Sequence, residues 1–113
     1  VARNQDDHVK NIAFLMDRRG RWRLAPAYDV TYAWDPQGAW TSRHQMSLNG
    51  KREDFTRSDL LALAATADIK KGPARELIDR VLAAFARWPE FAAEAGVPEE
   101  RSAALAAAQR TGL

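Results

Sequence analysis

The stretch IAFLMDRRGRWRL, residues 12–24, decides the fold of the N-terminal part of the chain. An apolar run over residues 12–16 is followed by a polar segment over residues 17–20, and residues 21–24 then alternate polar and apolar side chains. Alternation around a four-residue loop that ends in glycine is typical of a β-hairpin. Pro26 should end the second strand, because proline has no backbone N–H to donate. We therefore predict a small hairpin near the start of the chain.

Polar side chains crowd the segment in front of this hairpin, NQDDHVKN at residues 4–11. Asp6 and Asn11 lie in this segment, and Asp29 follows the second strand. Because a hairpin folds back on itself, we expect Asn11 to lie near Asp29, with Asp6 in the same cluster. Mg²⁺ prefers oxygen ligands and takes one or two carboxylates together with water and phosphate oxygens. Phosphoryl transfer also uses a carboxylate that accepts the proton of the attacking hydroxyl, so this chemistry suits the cluster.

The second half of the chain predicts helices. Thr56 and Asp59 resemble a capping box at the start of a first helix, with Asp in place of the usual Glu. Gly72 and Pro73 suit the first turn of a second helix. Pro89 should stop or kink that helix, and a last helix should start at Pro98. The apolar residues of the second helix recur at helical spacing and predict a buried stripe: Leu77, Ile78, Val81, Leu82, Phe85 and Trp88.

These patterns together predict an α+β fold that is mostly α, with a short β-hairpin followed by a bundle of three or four helices. Residues 30–55 show no sustained period and contain Pro36, Gly38 and Gly50, so we predict mainly loop there. The 113 residues are enough for one small domain, and the net charge of +2 is too small to indicate nucleic-acid binding by itself. The absence of cysteine fits a cytoplasmic protein, and no apolar run is long enough for a membrane helix.

The motifs NQDDHVKN (residues 4–11) and WRLAPAYDV (residues 22–30) resemble the C-terminal lobe of HipA-type toxin serine/threonine kinases. The segment MSLNGK (residues 46–51) and the helices that follow it agree with the same family. The resemblance covers nearly the whole chain, residues 1–113. It divides the chain into the catalytic loop, hairpin and metal-binding Asp (residues 1–31), a loop (residues 32–55) and a helical part (residues 56–113).

The resemblance implies a role for individual residues of the first motif and for Asp29. Asp6 corresponds to the catalytic base, and Asn11 and Asp29 correspond to the magnesium ligands and contact the nucleotide. His8 and Lys10 lie in the stretch that contacts the nucleotide phosphates. The implied cofactors are therefore Mg²⁺ and ATP, and the implied reaction is transfer of the γ-phosphoryl group to a protein serine or threonine hydroxyl. Asp7 lies at a position that varies in the family and receives no catalytic role.

One departure from the kinase pattern concerns the ATP-binding lobe. The six glycines are too scattered for a glycine-rich phosphate loop, so we expect the chain to be a C-terminal fragment that is inactive without an N-terminal ATP-binding part. The alternative is a non-catalytic protein-interaction module derived from such a kinase. In either case the family implies a helix-turn-helix antitoxin of the HipB type as partner, with DNA reached only through that antitoxin. A protein substrate in translation and self-association through an exposed apolar face are further expectations.

Other hypotheses have weaker support in the sequence. A metal-dependent hydrolase that uses Asp6, Asp7, His8 and Asp29 matches no known zinc spacing, since the only two histidines lie far apart in the chain. Bases could stack on Trp22 and Trp34 beside the arginines of the hairpin, but half-buried tryptophans on a charged hairpin are the favoured explanation of the pattern. The loop that contains Trp40, Arg43 and His44 is either the activation and substrate loop of a kinase or a plain surface loop.

Overall fold

The predicted hairpin is confirmed in the computed structural model, which describes residues 1–113. Strands β1 (Phe14–Met16) and β2 (Trp22–Leu24) pair antiparallel, with Phe14 opposite Leu24 and Met16 opposite Trp22. The turn is held by Asp17, whose carboxylate accepts the backbone N–H groups of Arg19 and Arg21 at 2.8 and 3.0 Å. The Arg21 backbone bond is the main cause of a lowered pKa at Asp17. Gly20 ends the loop with φ of +78°, a conformation that favours glycine.

The remaining regular structure is helical, as predicted. A short 3₁₀ helix precedes the hairpin, and four α-helices follow the long loop. The elements are 3₁₀ helix Val9–Asn11, α1 Arg57–Thr66, α2 Lys71–Ala86, α3 Trp88–Glu94 and α4 Glu99–Ala108. The chain is thus α+β and mostly α. Residues 30–55 contain no helix or strand, only the isolated bridges of Asn4 with Ala33 and of Leu48 with Lys51.

Helix α1 begins with the predicted capping box. The Thr56 hydroxyl accepts from the Asp59 N–H, and the Asp59 carboxylate accepts from the Thr56 N–H at 2.8 Å. The same carboxylate also binds Lys51 Nζ and Asn49 Nδ2, each at 2.8 Å. These groups, with the Lys51 ammonium first and the Asn49 amide second, hold the pKa of buried Asp59 far below its ordinary value. The cap therefore also ties the end of the long loop to the helical part.

The breaks between the later helices follow the predicted prolines. Helix α2 ends before Pro89, which lies in the first turn of α3. Gly96 follows α3 with φ of +69°, and Pro98 is the N-cap of α4. Helix α2 packs against α1 and α3, and α3 packs against α4. No helix is long and apolar enough to cross a membrane.

The core is much smaller than the sequence predicts. Only four residues are buried: Gln5, Asp59, Ala74 and Ala92. The predicted buried stripe on α2 is wrong: Leu77 and Val81 are 48% and 46% exposed, and Ile78, Leu82 and Phe85 are only half-buried. Trp88, the last residue of the predicted stripe, is half-buried and lies in α3. Their periodicity is helical, but α1 and α3 cover only part of the apolar surface of α2, and the uncovered part faces solvent. The hairpin is also open, since Phe14, Met16, Trp22 and Leu24 are each at least 58% exposed.

Candidate active site

The segment that contains Asp6 forms a defined loop in front of the hairpin. Asn4 pairs in parallel with Ala33, and the chain then runs through Asp6 into the 3₁₀ turn that ends at Asn11. The turn is closed by the Asn11 N–H, which donates to the His8 carbonyl at 3.0 Å. This order places Asp6 before the turn and Asn11 at its end.

Asn11 and Asp6 are joined directly. The side-chain amide of Asn11 donates from Nδ2 to the backbone carbonyl of Asp6 at 3.4 Å, which is long for such a bond. The amide nitrogen acts only as a donor, so Oδ1 of Asn11, which has no hydrogen-bond partner in the chain, is the atom able to bind a cation. Asp6 itself is exposed, and its carboxylate takes part in none of the side-chain hydrogen bonds or ion pairs of the chain. The carboxylate is therefore open to an incoming hydroxyl group.

Asp29 follows the hairpin, and the hairpin brings this part of the chain back to the loop. The Ala25 N–H donates to the Ala13 carbonyl at 2.9 Å, which extends the pairing beyond the strands. The Tyr28 hydroxyl then donates to the Lys10 carbonyl at 2.5 Å. Residues adjacent to Asp29 and Asn11 are thus in direct contact, although no contact joins the two side chains themselves. The structure brings the segments together and leaves the Asp29 carboxylate and Oδ1 of Asn11 without a hydrogen-bond partner.

The backbone of Asp29 has an unusual conformation. Its φ is +53°, in the left-handed region that non-glycine residues seldom occupy and that Asp and Asn tolerate best. Its side chain is exposed. Residues held in such conformations concentrate at functional sites, because the surrounding structure must compensate for the strain.

His8 and Lys10, the two predicted phosphate contacts, differ in environment. Lys10 is exposed, and only its backbone carbonyl is used, by Tyr28. His8 is half-buried, and its Nδ1 is enclosed without a hydrogen-bond partner in the chain. An enclosed polar nitrogen without a partner is costly, so this atom is a candidate for contact with a bound anion or water.

The candidate site offers only two protein ligands, Asn11 and Asp29, to a metal ion. No three His, Cys, Asp or Glu side chains are grouped in a way that could hold a metal ion. The hydrolase hypothesis based on Asp6, Asp7, His8 and Asp29 therefore has no metal cluster to support it. A site with one carboxylate from Asp29 and one amide oxygen from Asn11 fits Mg²⁺ only when phosphate oxygens and water complete the coordination.

The apolar cavities lie away from these residues. A cavity of about 340 Å³ is lined by side chains of α2, α3 and α4 together with residues 30–32. A second, of about 280 Å³, lies against Leu77, Ile78 and Val81. Neither includes Asp6, Asn11 or Asp29. A further cavity of about 390 Å³ is lined by Asp7 and His44, so the candidate site is an exposed polar surface that lies beside this cavity.

Three contacts near the site were not predicted from the sequence. Gln5 is fully buried, and its Nε2 donates to the Thr41 carbonyl at 3.1 Å. Asp7 binds the Nδ1 of His44 at 3.0 Å and the Gln45 N–H at 2.7 Å. The third is the Tyr28 hydroxyl contact described above. The partners of Gln5 and Asp7 lie more than 35 residues away in the chain, and no local pattern indicates such pairs.

The half-buried state expected for Trp22 and Trp34 is found at Trp34 but not at Trp22. Trp22 is 67% exposed on the hairpin and Trp40 is 74% exposed in the long loop. Trp34 is half-buried, and the Arg3 guanidinium lies 4.1 Å from the centroid of its ring. The cation–π contact accounts for Trp34 without a stacked base.

Comparison with known proteins gives one match. A sequence model of the family described as HipA-like C-terminal domain matches residues 1–89, which include every residue of the candidate site. No curated protein and no solved structure is significantly similar to the chain.

Proposed function

This chain belongs to the HipA-like C-terminal domain family, and from that premise we propose that it carries the catalytic loop of an ATP-dependent serine/threonine protein kinase. The HipA family is in general a kinase family. The observation that carries the proposal is the contact between two separate motifs: the Tyr28 hydroxyl on the Lys10 carbonyl, which brings the Asp29 segment to the Asp6–Asn11 loop.

The proposed division of labour follows from the state of each side chain. Asp6 is exposed and unpaired, so it can orient the acceptor hydroxyl and take its proton. Asn11 Oδ1 and the Asp29 carboxylate would hold Mg²⁺, and Lys10 and His8 would face the phosphates. When bound, Mg²⁺-ATP supplies the γ-phosphoryl group and Mg²⁺ offsets its negative charge. The surface around these residues is open, so ATP would need an additional ATP-binding part of the protein to hold it there. We therefore expect little activity from the chain alone.

Phosphoryl transfer from radiolabelled ATP tests this proposal in the natural protein that contains the chain. The acceptors are dephosphorylated casein and the protein's own hydroxyl groups, with Mg²⁺ present or chelated. Asp29→Asn removes the only carboxylate of the metal pair, and asparagine tolerates the left-handed backbone of this position. We expect transfer that requires Mg²⁺ and is lost in Asp29→Asn.

Asp35→Asn is the matched control, because Asp35 is an exposed carboxylate in the next loop. Its side chain accepts the Gln37 N–H at 2.9 Å, and an asparagine oxygen can do the same. Transfer should be normal in this variant. Equal transfer by wild type and Asp29→Asn would contradict the assigned role of Asp29.

A toxin role restrained by a HipB-type antitoxin is the corresponding proposal for the biological setting. Family membership alone supports it. Co-purification of the natural protein with a helix-turn-helix protein encoded beside it would test this. Separate elution of the two proteins at micromolar concentration, with no complex between them, would count against it.

A second candidate function, a non-catalytic interaction module, is favoured by the surface of the molecule. Its accessible area is 8547 Å², whereas a compact chain of this mass has about 6,200 Å². Large apolar side chains contribute to this exposed area, among them Trp22, Leu24 and Trp40, and large exposed apolar patches mark interaction sites. Binding of Mg²⁺-ATP distinguishes the two functions, because the interaction module would bind its protein partner but not the nucleotide.

A further inference from the structure

The residues on either side of Asp6 are both attached to the same distant loop. We propose that Gln5 and Asp7 are positioning residues that fix the backbone of Asp6, with residues 40–45 (the anchoring loop) as their support. The catalytic consequence rests on the role proposed above for Asp6. The positioning itself rests only on contacts within the chain.

Gln5 forms the first attachment. It is fully buried, and its N–H donates to the Ala33 carbonyl at 3.2 Å. Its side chain donates to the Thr41 carbonyl at 3.1 Å and accepts from the Arg3 guanidinium at 3.3 Å. Backbone and side chain of Gln5 are thus both held, which fixes the chain immediately before Asp6.

Asp7 forms the second attachment, immediately after Asp6. Its Oδ1 accepts the Gln45 N–H at 2.7 Å, and its Oδ2 lies 3.0 Å from Nδ1 of His44. The two side chains are 20% and 17% exposed, so the pair is largely shielded from water. Because both carboxylate oxygens are engaged, the side chain of Asp7 has little freedom to rotate.

The anchoring loop is itself held in place. The N–H of His44 donates to the Arg52 carbonyl at 3.0 Å, and the Arg52 guanidinium donates back to the His44 carbonyl at 2.5 Å. The ring of His44 packs on Phe55 with 5.0 Å between centroids. The Gln45 side chain donates to the Trp40 carbonyl, which closes the loop on itself. A support of this kind can transmit its rigidity to Asp6.

This arrangement matters because the carboxylate of Asp6 has no partner of its own. The position from which this side chain reaches the substrate is therefore fixed only through the backbone, which Gln5 and Asp7 hold on either side. A catalytic group displaced by about 1 Å can lose about 100-fold in rate. Loss of either attachment should thus lower the rate of the chemical step more than it weakens nucleotide binding.

The test compares variants of the natural protein. Asp7→Ala removes the attachment at Asp7, and His44→Leu removes the ring nitrogen that binds it. His44→Asn keeps a donor near the position of Nδ1. Asp79→Ala is the control, because it removes an ion pair of 2.6 Å with Arg57 in the helical part. The measurements are amide hydrogen exchange of residues 6–12, affinity for Mg²⁺-ATP, and kcat for transfer to casein.

We expect faster exchange over residues 6–12 in Asp7→Ala and His44→Leu, with near wild-type exchange in His44→Asn and Asp79→Ala. In the first two variants kcat should fall by about 10- to 100-fold while nucleotide affinity changes less than about threefold. Wild-type exchange over residues 6–12 in both disruptive variants would overturn the proposal. Should Asp7→Ala fail to fold, the His44 pair of variants decides the question in the same way.

The experiment distinguishes failure of the proposed kinase function from failure of the positioning role. If the wild type transfers no phosphoryl group, the proposed function fails, and hydrogen exchange still shows whether Asp7 holds the loop. If the wild type is active and Asp7→Ala keeps the wild-type kcat, the positioning role fails and the kinase assignment stands.

Discussion

Among single residues, the candidate site combines exposed side chains without hydrogen-bond partners and neighbouring residues that are fixed by hydrogen bonds. Asp6 and Asp29 are exposed, whereas Gln5, Asp7 and Tyr28 make the contacts that determine where the free groups lie. A catalytic group gains from rigid support by adjacent residues, because the productive geometry then costs no further ordering. The supporting residues of the loop are therefore as informative as the residues proposed to act in catalysis.

The hydroxyl of Tyr28 gives the first prediction. Tyr28→Phe removes the hydrogen bond to the Lys10 carbonyl and should loosen the link between the Asp29 segment and Asn11. The bond is partly exposed to water, so the loss of stability should be about 0.5–1 kcal/mol. Affinity for Mg²⁺-ATP should fall several-fold, because Asn11 and Asp29, the two proposed metal ligands, are then less firmly held together. Isothermal titration calorimetry measures the affinity and urea unfolding measures the stability.

Tyr32→Phe is the control for that experiment. Tyr32 is 38% exposed, similar to the 44% of Tyr28, but its hydroxyl makes no hydrogen bond in the chain. If both variants bind Mg²⁺-ATP as the wild type does, the Tyr28 contact does not support the metal site.

Sequence spacing identifies the residues proposed to act in catalysis better than it identifies the residues that hold them in position. Asp6, Asn11 and Asp29 lie in short motifs around a hairpin, and the hairpin itself follows from alternation and from Gly20. Their detailed roles remain predictions. Gln5 carries no signal of its own, since a buried glutamine depends on a carbonyl 36 positions away. Local pattern cannot report a contact that only the folded long loop creates.

At the scale of elements, helix α1 shows how one carboxylate can join a loop to a helix. Asp59 completes the capping box and also binds Lys51 and Asn49 from the long loop. The capping box could be predicted from Thr56 and Asp59, but the two loop contacts could not. The long loop has no strand or helix, so contacts of this kind are what hold it in one conformation.

The lowered pKa of Asp59 predicts a dependence of stability on pH. Folding holds this pKa below the value of about 3.9 in an unfolded chain. The contribution to stability is therefore fully present above about pH 4 and decreases as the pH falls toward the folded-state pKa. Asp59→Asn should be less stable at pH 7, and its stability should fall less than that of the wild type between pH 4 and pH 2.

Urea unfolding at a series of pH values, compared between wild type and Asp59→Asn, measures this difference. Asp79→Asn is the control, since Asp79 is an exposed partner of Arg57 and has no role in the cap. Parallel stability curves for wild type and Asp59→Asn below pH 4 would show that the Asp59 contacts do not stabilise the folded chain.

At the scale of the whole molecule, the chain is open. Its radius of gyration is 15.9 Å, whereas about 13 Å is expected for a compact domain of this length. Its accessible surface exceeds the compact value by about 2,300 Å². This openness explains why the predicted buried stripe on α2 is wrong. Periodicity shows which side of a helix is apolar, but it does not show whether another part of the chain covers that side.

The excess surface predicts that the chain on its own associates. The apolar residues of the hairpin, Phe14, Met16, Trp22 and Leu24, lie on one side of the two strands and are all exposed. Light scattering after gel filtration at several concentrations should show species larger than 12.6 kDa. The double variant Trp22→Ser, Leu24→Ser should reduce association, and Arg18→Ser, Arg19→Ser in the adjacent turn is the control. A monomer at all concentrations would contradict the prediction.

We propose that Asp6 acts in the chemical step of phosphoryl transfer, and the Asp6→Asn variant measures this role with the least disturbance of the fold. Asp6→Asn is nearly isosteric and breaks no contact, so folding should be unchanged. In the natural protein we predict that this variant binds Mg²⁺-ATP with an affinity close to wild type and transfers the phosphoryl group about 10²- to 10⁴-fold more slowly. Wild-type rates of transfer in Asp6→Asn, at equal nucleotide affinity, would contradict the claim.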